Sequence, residues 1–143
     1  MQHNNQNTNA FLIHISAFAG YLFPLGGSII TPLILWQTLK ERSAFLDDHG
    51  KEAVNFNISF GLYIFIVSAS FLPFLFRNIF HGFNGIDIDF GGHHGYGGLF
   101  GFLGITSLAL LISIIKIALI IIAAMKANKG ELYHYPFTIK FIK

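Results

Sequence analysis

The chain contains no cysteine, so disulfides, thiol nucleophiles and thiolate metal sites are excluded at once. Charge is almost as scarce. Charged residues make up only 11% of the 143 positions, against about 25% in ordinary soluble domains. The nine lysines and arginines are outnumbered by seventeen phenylalanines. A chain this short needs a solvated shell to fold in water, and so few ionised groups cannot supply one. Lipid must therefore cover much of the surface. Signature motifs are missing too: no P-loop, no HExxH and no serine elbow occurs. The sequence predicts neither an enzyme nor a cofactor.

Residues 1–9 carry no lysine or arginine and lack the basic opening of a signal peptide, so they read as an uncleaved polar tail. Basic residues are also missing from 78–98, between apolar blocks at 53–76 and 99–125. Each block exceeds the ~20 residues that cross a hydrocarbon core, and both are expected to be transmembrane helices. An earlier block, 10–40, is broken by Pro24-Leu25-Gly26-Gly27 and by Thr31-Pro32. The glycines permit a turn, and Thr31 with Pro32 suits a helix start. Two short helices, 10–22 and 32–40, in a hairpin are one reading; a single kinked span is the other.

The fold class expected is therefore an all-α membrane protein: a small bundle with a Pro/Gly-broken N-terminal hairpin and two long transmembrane helices. Lys40, Arg42 and Lys51 precede the first long span, and Lys126, Lys129, Lys140 and Lys143 follow the second. Two crossings separate these groups, so both fall on the cytoplasmic side of an inner membrane, with the C-terminus, and 78–98 faces outward. The hairpin would put the N-terminus inside and the kinked span would put it outside.

Between the first two blocks, Asp47, Asp48, His49, Lys51 and Glu52 crowd into six positions. Asp47 and Lys51 are spaced for a helical ion pair, and Ser43 for a cap. Asp48, Glu52, Asn55 and Ser59 recur at helical spacing and form a polar stripe that enters the membrane and should face the bundle. The stripe is either an interfacial element bonded to neighbouring helices or the polar mouth of a path. Three stretches carry a resemblance: "HISAFAGYLFPLGGSIITPLILW", "FLDDHGKEAVNFNIS" and "KANKGELYHYPFTIKFIK". They resemble a family of small bacterial membrane proteins of unknown function, distantly similar to the Tic-twenty component of the plastid protein-import machinery. The resemblance covers nearly the whole chain, apart from the tail and the outward loop. It implies four helices with both termini cytoplasmic, which favours the hairpin, and it supplies no catalytic residues.

Other polar groups are fewer. His81, Asp87, Asp89, His93 and His94 are the metal-ligand candidates, but they stand in a glycine-rich segment that is costly to order, so no metal is expected. His14 and Lys116 are intramembrane polar residues. Lys116 lies about 15 Å along the helix from Lys126, and Asn57, His14 or Gln37 are its expected neighbours. In the tail 126–143, Tyr133, Tyr135 and Phe137 suit the headgroup belt and Lys140 and Lys143 suit anionic lipid. The basic residues are too few and too close to the membrane for nucleic acid. The expected partners are the bilayer and either further copies of the chain or other membrane subunits. The expected role is a structural or accessory subunit, in translocation or envelope homeostasis. The alternative is a small channel or transporter component for ions, solutes or polypeptides.

Overall fold

A computed structural model describes residues 2–23, 26–83 and 95–143, and every regular element among them is helical. Helix α1 runs Gln2–Ile15 and continues through a 3-10 turn, Ser16–Phe18, into the short α2, Ala19–Leu22. Helix α3 spans Gly27–Leu39 and ends in a second 3-10 turn, Lys40–Arg42. Two long helices follow, α4 (Ala44–Phe83) and α5 (Gly95–Asn128). At 1.5 Å per residue they run about 60 and 50 Å, well beyond a ~30 Å hydrocarbon core.

The N-terminal hairpin differs from expectation in two places. Residues 2–9, read as a tail, belong to α1. Asparagine and threonine are poor helix formers, so contact rather than propensity holds them. Ala10, Ile13 and Ala17 are buried on one face, and Asn7 Nδ2 donates to the Asn128 carbonyl at 3.3 Å. The second helix starts at Gly27 rather than Pro32, which lies buried inside α3. Gly26 makes the turn at φ +94°, a left-handed conformation natural to glycine. The amides of Ile29 and Ile30 then both bond its carbonyl at 2.9 Å. Thr31 caps nothing. Its hydroxyl reaches the Ser16 carbonyl at 2.7 Å and also that of Gly27, tying the two arms together. The arms touch backbone to backbone: a Cβ on Gly20 would fall 2.6 Å from the Ser28 Cβ. Small residues allow such close helix contacts in lipid.

The chain forms two compact units, 1–61 with 116–143, and 62–115. In the first, Ala10, Ile13, Leu39, Leu46, Ala53 and Ala127 make one apolar core drawn from α1, α3, α4 and α5. Ser43 opens α4 as expected, its Oγ accepting from the Leu46 amide at 3.3 Å. In the second unit, apolar side chains are turned outward: Phe65 is 68% and Leu110 64% exposed. Two segments, Ala44–Ala69 and Thr106–Asn128, are long and apolar enough to cross a membrane. Along α5, Leu108, Leu110, Leu111, Ile114, Ile115, Ile121 and Ile122 are all exposed. Large contiguous apolar surface of this kind is what lipid requires and water penalises.

Candidate functional site

The polar stripe on α4 serves the backbone of the C-terminal segment. After α5, Gly130 turns the chain at φ +80°, and residues 131–143 run back without helix or strand. Non-helical backbone at membrane depth must find partners inside the protein. Glu52 Oε2 accepts from the Tyr135 amide at 3.2 Å. Ser59 Oγ accepts from the Ile139 amide at 2.9 Å. Asn55 does most: its Oδ1 accepts from the amides of Phe141 (3.1 Å) and Ile142 (2.9 Å), and its Nδ2 donates to the Ile142 carbonyl (2.8 Å). Positions 52, 55 and 59 lie on one helical face, so a single stripe holds the whole strap. Asp48, counted in the stripe from its spacing, is exposed and stands outside it.

A second constellation anchors the strap by a side chain. Tyr135 is only 6% exposed. Its ring stacks on Phe56, with centroids 3.9 Å apart and planes 13° from parallel. Its hydroxyl lies 2.9 Å from His14 Nδ1, and His14 Nε2 lies 2.8 Å from His49 Nδ1. His49 Nε2 is buried, with no hydrogen-bond partner among the described residues. With both imidazoles neutral, two proton arrangements are open. If Tyr135 donates to His14 and His14 to His49, one N–H is left over, on His49. If the chain runs the other way, both the Tyr135 hydroxyl proton and a His49 lone pair are unmet. The first arrangement leaves fewer orphans, and tyrosine is the donor. Burial, reinforced by Tyr133 and Glu52, pushes the Tyr135 phenol well above its ordinary pKa, which keeps that proton in place. His134 adds an exposed contact, Nδ1 to Glu52 Oε1 at 2.9 Å.

The five clustered residues and Asn55 thus divide. Glu52 and Asn55 hold the strap, and buried His49 ends the relay. Asp47 faces the other way, pairing with Lys51 at 2.7 Å and accepting from Trp36 Nε1 at 2.8 Å. That second bond corrects the reading of Asp47 as half of a plain surface ion pair, because it fastens α3 to α4. The Trp36 indole lies directly over Gly50, where a Cβ would come within 2.0 Å of Cδ1.

Lys116 is buried, and no described residue bonds or pairs with it. None of its expected neighbours engages it. Gln37 is exposed, His14 is committed to the relay, and Asn57 donates to the Ala53 carbonyl at 2.8 Å. Among the described residues no three His, Asp or Glu side chains form a group able to hold a metal. Asp87, Asp89, His93 and His94 lie outside the described residues, as does the side chain of His81 on α4. Sequence reasoning missed Tyr135, which it assigned to the headgroup belt, and His134. The available signal was chemical: a non-helical, proline-containing segment beside a membrane must find hydrogen-bonding partners, and the α4 stripe had some to offer.

Fold and site together define a small all-α membrane protein whose C-terminal strap is fastened to a helix long and apolar enough to cross a membrane. The chain belongs to the magnetosome magnetite crystal formation protein family, whose model matches residues 5–142. This gives the resemblance to small bacterial membrane proteins its family, and it does not support the similarity to Tic-twenty. No curated protein and no solved structure matches the chain.

Proposed function

We propose that this protein is a non-enzymatic structural or accessory component of a membrane in which magnetite crystals form, acting with further copies of itself or with other membrane subunits. The observation that carries this reading is the family match, which spans α1 to the strap. Support comes from how the polar groups are used. Glu52, Asn55 and Ser59 bond main chain, and Tyr135, His14 and His49 bond one another. Groups consumed internally are poor lining for a path, which counts against the channel or transporter alternative. The translocation role drew on the Tic-twenty similarity and falls with it. The lysine distribution supports a multi-pass inner-membrane arrangement with a cytoplasmic C-terminus.

The test is deletion of the gene in a magnetite-forming bacterium, with crystal size and number measured by electron microscopy. Altered crystals, restored by the wild-type chain and not by Asn55→Leu expressed at equal level, are expected. Unchanged crystals would refute the role.

A further inference from the structure

The strap is built inside out. Its main-chain groups turn inward to Glu52, Asn55 and Ser59, while Leu132, Phe137, Ile139 and Phe141 are 48%, 78%, 42% and 49% exposed. The most exposed of these, Phe137, sits at φ +59° directly after Pro136. A bulky residue in the left-handed region is strained, and the Phe137 side chain there is exposed. From 132 to 143 there is no acidic residue. Beside the end of the strap lies a cavity of about 390 Å³ lined by Trp36, Lys40, Glu41, Asp47, Lys51, Ile142 and Lys143. Lys51 is neutralised by Asp47, which leaves Lys40 and Lys143 against Glu41. Lys40 Nζ is held 5.6 Å from the centroid of the Trp36 ring, and that ring is itself fixed by Asp47.

We propose that this edge of the protein binds an anionic phospholipid. Its phosphate sits in the cavity between Lys40 and Lys143, and its acyl chains lie against Phe137, Ile139 and Phe141. The chemistry matches at both ends, with one more lysine than carboxylates among the side chains lining the cavity and exposed apolar side chains on the strap that ends there. Exposed apolar side chains beside two lysines suit a ligand that carries both acyl chains and a phosphate. The inference rests on the membrane placement within the proposed function.

Absence of cysteine makes the test direct. A fluorophore is attached to Phe137→Cys in the full chain, reconstituted in nanodiscs of phosphatidylcholine containing a trace of nitroxide-labelled lipid. Leu110→Cys serves as the lipid-facing reference. Nitroxide phosphatidylglycerol should quench the label at 137 about threefold more than nitroxide phosphatidylcholine. Lys40→Gln with Lys143→Gln should bring that ratio to one while quenching by phosphatidylcholine persists. Equal quenching by both lipids in the lysine-intact chain would overturn the proposal. So would quenching at 110 with none at 137, or a disulfide-linked dimer through position 137, which would make a second copy the occupant. Absence of quenching at both positions would overturn the membrane placement itself.

Discussion

Asn55→Leu is the sharpest test of the strap. Leucine has the same number of side-chain heavy atoms as asparagine in the same branched arrangement, so the change empties no space, but it removes one donor and one double acceptor. Three hydrogen bonds vanish: the two amides of Phe141 and Ile142, and the carbonyl of Ile142. In membrane proteins such bonds average ~0.6 kcal/mol, whereas a fully buried orphan costs about 1–3 kcal/mol. Phe141 and Ile142 are partly exposed, so the lower figure is the better base, and three bonds give a loss of about 2 kcal/mol. The assay is unfolding in detergent followed by fluorescence of the single tryptophan, which lies in the same compact unit. Asn5→Leu, at an exposed position of α1, should change stability by less than ~0.5 kcal/mol. Asn55→Asp keeps the double acceptor and should fall between the two. Trypsin should cut at Lys129 and Lys140 sooner in Asn55→Leu than in wild type. Equal stability of the Asn55 and Asn5 variants, with no change in cleavage, would refute the main-chain role of the stripe.

Three further outcomes are expected. Tyr135→Phe should cost about 1–3 kcal/mol, because His14 Nδ1 loses its donor in a buried place. The raised phenol pKa also contributes stability that is fully present below about pH 10 and lost as pH rises above it; Tm measured from pH 8 to 11 should fall in wild type and fall less in Tyr135→Phe. Gly50→Ala should destabilise by about 1–3 kcal/mol by driving Trp36 off α4. By contrast, Gly104→Ala, with nothing within 4 Å, should be neutral or stabilising by up to ~1 kcal/mol. Lys116→Met should raise stability by about 1 kcal/mol or more, since a buried lysine that no described residue pairs with is exchanged for an apolar chain of similar length. A drop in Tm for Lys116→Met would mean that the lysine has a partner in the membrane.

The parts legible in the sequence were those fixed by local pattern. The α4 and α5 spans followed from runs of apolar residues, the hairpin from Pro24 to Gly27, and the Ser43 cap and the Asp47–Lys51 pair from spacing. The inward face of 52, 55 and 59 was legible as periodicity. What that face met was not, because the partners lie 80 or more positions away and are backbone groups, which every residue carries. Pro32 misled because proline marks a helix start in most contexts, whereas here Gly26 had already opened the helix one turn earlier. Asparagines 4, 5, 7 and 9 misled in the opposite sense. Their weak propensity suggests a tail, and packing of Ala10, Ile13 and Ala17 holds the helix regardless. Tyr135 looked like a headgroup residue because tyrosine suits both a wet interface and a buried hydrogen bond, and only the location of His14 separates the two.

The stripe also sets an order of events during biogenesis. Glu52, Asn55 and Ser59 leave the ribosome long before the amides of 135–142 exist, and all of α5 must be made and inserted in between. Throughout that interval α4 carries polar groups with no main chain to receive them, so it has reason to stay shallow, with its first turns in water. Docking of the strap closes a loop of more than 80 residues, an entropically expensive contact that forms late. The stripe therefore predicts that α4 reaches its final depth only once residues 135–142 have docked. A bulky fusion placed after Lys143 should therefore delay maturation rather than block insertion, leaving a population that spans the membrane with its strap undocked.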